Sequence, residues 1–189
     1  MSDQEIWKNL KSGDKKALET IYQTHIRALL QYGKRFTKDD AIVEDAAHDL
    51  FVNIWKNRKT IGQTNKILPY LLLSLRRDII RRLNKIKKLN ISAQTDDSFD
   101  VPFEDGNIED QWIATETSNE REIELKKGME KLSKRQREVL YLKFYKDLDY
   151  PEIAKILEIN YQSVRNLVSQ ALKKLKDGML LLIILILFS

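Results

Sequence analysis

The chain contains no cysteine, which excludes disulfides and thiolate metal sites and suits a reducing compartment. It has only two histidines, His25 and His48, and neither has a partner at metal-ligand spacing. There is no glycine-rich phosphate loop and no nucleophile motif. These absences predict a protein that is not an enzyme and takes no metal or other cofactor. The N-terminal stretch "MSDQEIWKNLKSGDKKALE" is polar and mixed in charge, unlike a secretory signal, so the expected location is cytoplasmic. Internal repeats and strand-like alternation are also missing.

What is present is charge in blocks. Within a net of +5, residues 1–92 carry +9, residues 93–127 carry −8 and residues 128–177 carry +4. Both basic blocks place apolar residues at helical spacing. The acidic block opens with "SAQTDDSFDVPFEDGNIED", which has a proline, a glycine, clustered acids and no apolar period, and so reads as a linker. The fold class predicted is all-α, two small helical domains joined by an acidic flexible linker. The boundaries are 1–92 for the first domain, 93–118 for the linker, 119–177 for the second domain and 178–189 for a hydrophobic tail. Tyr22, Tyr32, Phe36 and Tyr70 are expected in the first core.

"YPEIAKILEINYQSVRNLVSQALKKLK", from Tyr150 to Lys176, predicts two helices sharing one short turn. Asp149 with Glu152 forms a capping box, and Pro151 falls in the first turn. Ile153, Ala154 and Leu157 make the inward stripe of the first helix. Asn160 caps the second, whose inward stripe is Val164, Leu167, Ala171 and Leu175. Upstream, Ser133 and Gln136 form another capping box for a helix that closes the bundle with Val139, Leu140 and Phe144. The outward side chains Tyr161, Gln162, Ser163, Arg165, Asn166 and Ser169 carry no acid. Arg suits guanine edges and Asn or Gln adenine edges in a major groove, while Lys173, Lys174 and Lys176 suit phosphates. An αα-hairpin with a solvated polar face fits the same turn.

In the first block, "VEDAAHDLFVNIWKNR", Val43 to Arg58, sets Val43, Ala47, Leu50 and Ile54 on one stripe, widened by Phe51 and Trp55, and leaves its acids outside. "PYLLLSLRRDIIRRLNKIKK" repeats Leu72, Leu75, Ile79, Leu83 and Ile86 at core spacing. Its opposite face is basic: Arg77, Arg81, Lys85 and Lys88, with Arg76, Arg82 and Lys87 beside them and only Asp78 opposing. Such a one-signed stripe favours a phosphate partner.

These stretches carry a resemblance. "REVLYLKFYKDLDYPEIAKIL" followed by "VRNLVSQALKKL", together with Val43 to Arg58, is similar to bacterial RNA polymerase sigma factors of the sigma-70 superfamily, extracytoplasmic-function group. The resemblance implies upstream-element DNA binding by Tyr161, Gln162, Ser163, Arg165, Asn166, Ser169 and Lys173. It implies docking on core RNA polymerase by Glu44, Asp45, Asp49 and Trp55. It also assigns the basic helix, through Arg77, Arg81 and Lys85, to the downstream element. Between these helices "KTIGQTNKI", Lys59 to Ile67, with Gln63 and Asn65, would be a loop flexible at Gly62 that captures flipped bases. The expected partners are core polymerase and promoter DNA, with an anti-sigma protein left open and no small-molecule substrate. The acidic linker would lie in a basic polymerase channel. Three positions depart from the family pattern: Glu158 stands for the turn glycine, Gln170 for a basic residue and His48 for glutamine. A helix-turn-helix regulator acting without polymerase is the competing class.

The tail "GMLLLIILILFS" has ten consecutive apolar residues from Met179 to Phe188, about 15 Å of helix against a hydrocarbon core of about 30 Å. It is too short to span a bilayer. Either Gly178 lets the tail fold back onto its own domain, or a protein partner or membrane surface covers it.

Overall fold

The computed structural model describes residues 1–90, 102–103 and 128–187, the side chains of Asn90 and residues 177–187 excepted. Apart from Pro102 and Phe103, the expected linker lies outside the described residues. Every regular element among them is helical, as expected, and the chain divides into two compact units, Met1–Pro102 and Phe103–Ser189.

The first unit comprises α1 (Asp3–Ser12), α2 (Lys15–Gly33), α3 (Asp40–Lys56) and α4 (Ile67–Asn90). Short polar side chains set the starts. Ser2 and Glu5 form a reciprocal capping box on α1, Asp14 accepts from the Lys16 amide, and Asp39 accepts from the amides of Ala41 and Ile42, satisfying donors a helix start leaves orphaned. Between them the apolar stripes close on a core that includes Trp7, Leu29, Val43, Leu72, Leu75 and Ile79, all at 0 % exposure. Gly33 makes the closest crossing possible, because a Cβ there would meet Val43 Cγ1 at 2.4 Å and Ile79 Cδ1 at 3.1 Å. Two expectations need correction. Ile86 is 42 % exposed, since the end of α4 outruns the helices it packs on. Tyr22 is also largely exposed and lies edge-on against Phe51 at 4.9 Å, whereas Tyr32 and Phe36 are buried.

The second unit holds α5 (Lys134–Leu140), a π-helical turn (Tyr141–Tyr145), α6 (Tyr150–Leu157) and α7 (Tyr161–Leu187). Both expected capping boxes form, Ser133 with Gln136 and Asp149 with Glu152, and the Asn160 side chain accepts from the Ser163 amide at 2.7 Å. Phe144 does not close the bundle, being 60 % exposed. The wider π turn shifts the phase of the following side chains relative to a 3.6-residue helix, so Tyr141 and Leu142 are the buried pair instead. Phe103, inside the expected linker, is buried with its ring 6.0 Å from that of Tyr141. On α6 the buried residues are Ile153, Ile156 and Leu157, Ala154 being only half-buried; on α7 they are Val164, Val168 and Ala171.

The turn between α6 and α7 puts Glu158 in the left-handed region, φ 56°, ψ 41°. The Ile159 amide donates to the Ala154 carbonyl at 3.1 Å, closing the helix end as a glycine would allow without strain. For a residue with a Cβ this conformation costs about 1–2 kcal/mol. Glu158→Gly is therefore expected to stabilise the protein by roughly 1 kcal/mol, less whatever contacts the side chain makes, and to raise the denaturant midpoint of the second unit. A lower midpoint would mean that those contacts outweigh the strain.

At Gly178 the chain does not turn back. The backbone of α7 continues as helix from Tyr161 to Leu187, so the tail extends the helix that carries the outward polar face. Among the described residues no helix is long and apolar enough to cross a membrane.

Candidate nucleic-acid and polymerase interfaces

At the start of α7, Tyr161, Gln162, Arg165, Asn166, Ser169 and Lys173 are exposed and Ser163 is half-buried. They share one face because the opposite one is locked by Val164, Val168 and Ala171. The Gln162 side chain donates to Asn166 Oδ1 at 3.2 Å, an i, i+4 pair that orients two amides together. Tyr161 rests edge-on to Tyr150, ring centroids 6.0 Å apart. The face thus offers a guanidinium, two amides and hydroxyls, the groups that read base edges. Lys173 and Lys176 stay exposed, whereas Lys174 donates to Gln136 Oε1 at 3.2 Å and is tied to α5.

In the first unit, α3 buries Val43, Ala46, Ala47, Leu50 and Ile54 and leaves Glu44, Asp45, His48 and Asp49 exposed. Trp55 is half-buried, with the Arg58 guanidinium 4.3 Å over its ring and Arg58 donating to its carbonyl at 2.8 Å. The structure thus groups the three acids and sets Trp55 further along, partly covered by a cation.

On α4 the stripe of Arg77, Arg81, Lys85 and Lys88 is exposed, as its spacing predicts. The flanking arginines behave differently. Arg76 is buried. Arg82 is clamped, its Nε donating to Asp78 at 2.7 Å and its Nη2 to Asp49 of α3 at 2.6 Å. Hydrogen bonding to Asp78, more than that to Asp49, raises its already high pKa against the opposing effect of burial. Asp78 also pairs with Arg81. The basic stripe is therefore countered by two carboxylates, one of them Asp49 from the group of acids assigned to polymerase.

The loop expected to hinge at Gly62 is instead pinned by α1. The Trp7 indole donates to the Gly62 carbonyl at 2.9 Å, Lys11 to the Ile61 carbonyl at 2.6 Å, and the Ile67 amide to Asp3 at 2.8 Å. Gln63 and Asn65 remain exposed. Beside the loop, a cavity of about 300 Å³ opens between α3 and α4. Its polar wall includes Asn53, Asn57, Tyr70, Ser74, Arg77 and Asp78; of the residues expected to contact the downstream element it gathers Arg77 and Arg81, but not Gln63 or Asn65. Asn53 and Ser74 escaped sequence reading because each is a lone polar residue between apolar ones, and Asn57 because it sits among charged residues at the helix end; no pattern marks which cleft they face.

Among the described residues no cluster of metal-ligating side chains occurs. His25 is half-buried, and burial lowers its pKa despite the nearby charge of Asp3.

Comparison with known proteins follows this division. The Sigma-70 region 2 family matches residues 21–88, and Sigma-70, region 4 matches residues 123–175. Among similar proteins are the RNA polymerase sigma factor NccH of Alcaligenes xylosoxydans xylosoxydans, 25 % identical and covering 92 % of each chain, and bacteriocin UviA of Clostridium perfringens, 28 % identical over 92 % of this chain and 98 % of the relative. Two solved structures share the fold. CnrH in complex with the cytosolic domain of CnrY has a TM-score of 0.59 at 18 % identity, covering 94 % of this chain and 96 % of that one. RpoE in complex with the anti-sigma factor NepR from Bartonella quintana has a TM-score of 0.60 at 16 % identity, covering 87 % and 97 %.

Proposed function

The chain belongs to the sigma-70 family, in its extracytoplasmic-function group, and on that premise we propose how its two units divide the work. It is a sigma factor that binds core RNA polymerase and directs promoter recognition and DNA melting in transcription initiation. A helix-turn-helix regulator acting without polymerase would have no use for region 2, which occupies residues 21–88. The second unit, residues 119–177 in our division, reads the upstream element with Tyr161, Gln162, Ser163, Arg165, Asn166 and Ser169, and Lys173 contacts phosphate. The first unit, residues 1–92, docks on polymerase through Glu44, Asp45, Asp49 and Trp55. It meets the downstream element through Arg77, Arg81 and Lys85, with Gln63 and Asn65 on the adjacent loop.

The observation that carries the melting role is the cavity between α3 and α4. It is large enough for one base, has amide, hydroxyl and guanidinium groups on its wall, and lies beside the exposed cationic stripe that would track the strand. A base leaving the stack there exchanges stacking for wall contacts, at about 1–3 kcal/mol per base. Initiation then needs binding energy alone. Sigma factors are non-enzymatic regulators, and this chain is proposed to catalyse nothing itself and to work in the cytoplasm. CnrH and RpoE are held by CnrY and NepR in their structures; by analogy this chain takes an anti-sigma protein, for which the apolar tail is a docking segment.

Run-off transcription with purified core polymerase tests the function, and permanganate footprinting tests the cavity. Ser74→Trp, which fills the cavity from α4, is expected to leave promoter association within about twofold while lowering the open fraction at least tenfold. An unchanged open fraction would move base capture elsewhere.

A further inference from the structure

Asp49 has two claimants. It is one of the acids on the face assigned to polymerase, and it already holds Arg82 at 2.6 Å. Its side chain is 54 % exposed and that of Arg82 26 %, so an incoming cation can reach the carboxylate while the guanidinium stays half-covered. Arg82 is bonded at two points. Its Nε is fixed to Asp78 of its own helix at 2.7 Å, and its Nη2 reaches across to α3. Loosening the second bond leaves the first as a pivot about which the terminal amines can swing. Arg82 adjoins the exposed Arg81, in the cationic stripe that runs past the cavity.

We propose that Arg82 is a further promoter-contacting residue held in reserve by Asp49, and that polymerase, by engaging Asp49, hands Arg82 to the phosphate backbone of the downstream element. This rests on the docking assignment above and adds a direction to it. A basic group of polymerase at Asp49 competes with Arg82 for the same oxygens, and a guanidinium that loses one carboxylate gains in affinity for another anion. Asp78 also holds Arg81, so it cannot neutralise two arginines alone, and the released charge is directed to DNA. The device couples the two bindings: the chain off polymerase carries a muted stripe, and the docked chain a full one.

The test uses the full chain and a fluorescently labelled, random-sequence, single-stranded 20-mer, since phosphate contacts do not depend on sequence. Off polymerase, Asp49→Asn is expected to tighten binding about three- to tenfold at low salt and to steepen the salt dependence by roughly 0.7 in log–log slope, the value for one added phosphate contact on a single strand. Arg82→Gln alone should change little off polymerase, and the double variant should lose the gain. In the assembled holoenzyme, Arg82→Gln should weaken promoter binding several-fold. If Asp49→Asn gains nothing, or if the double variant keeps the gain, the latch is overturned; the second result would trace the gain to the general loss of one negative charge. If both single variants only lower the melting temperature, Arg82 is an interhelical strut and the proposal fails. The docking reading fails separately, if wild-type chain does not co-elute with core polymerase.

Discussion

Glu44→Arg with Asp45→Arg is expected to abolish co-elution with core polymerase and, with it, run-off transcription. Both carboxylates are exposed on α3, so reversing them should cost the fold well under about 1 kcal/mol. Against a basic docking surface the same change replaces two attractions with two repulsions. A charge pair desolvated at an interface is worth about 2–5 kcal/mol when broken, so the double reversal predicts a loss of at least a thousandfold. Asp49 is the poorer choice for this experiment, because reversal there sets two cations against each other across α3 and α4 and confounds docking with folding. Size-exclusion chromatography of the mixed components, with circular dichroism on the variant alone, gives the answer. Wild-type co-elution of a folded variant would place the docking face elsewhere.

On the second unit, Arg165→Ala and Lys173→Ala should fail in different ways. Arg165 is exposed on the second turn of α7 between Gln162 and Asn166, on the face proposed to read base edges. Its removal is expected to weaken the preferred upstream sequence by roughly 1–3 kcal/mol and to flatten base preference at one or two positions. Lys173 lies two turns further on and is expected to touch phosphate. Its loss should weaken all sequences alike and reduce the salt slope by about one. Binding to a promoter library at two salt concentrations separates the two effects. Equal loss of preference in both variants would overturn the division into base and phosphate contacts.

Local signals account for what the sequence made legible. Capping boxes need only four residues, and all those predicted formed, as did the Asn160 cap; the stripes of Leu72, Leu75 and Ile79 and of Val164 and Ala171 were visible as periodicity. Features set by more distant residues were not. The π turn at Tyr141–Tyr145 leaves no mark in the pattern but rotates Phe144 out of the core. Gly33 marks a helix crossing only once Val43 is known to face it. The bonds from Trp7 to Gly62 and from Arg82 to Asp49 join residues 55 and 33 positions apart, and no spacing rule reaches that far. The resemblance assigned roles to faces that periodicity alone leaves outward, yet it could not reveal that Asp49 and Arg82, on two separate faces, already grip each other.

The unbroken course of α7 has a mechanical consequence. A helix of 27 residues is about 40 Å long, and an α-helix resists bending over that length, so the reading face and the apolar end move as the two arms of a single rod. A tilt of about 5° imposed at Leu187 would shift the far end by about 3 Å, the length of one hydrogen bond. Bases are read at that tolerance. Whatever grips the apolar end need not touch Arg165 or Asn166, or cover any part of their face, to put them out of reach of the groove they are proposed to read: leverage alone suffices for as long as Gly178, the least helix-favouring residue within the rod, does not yield.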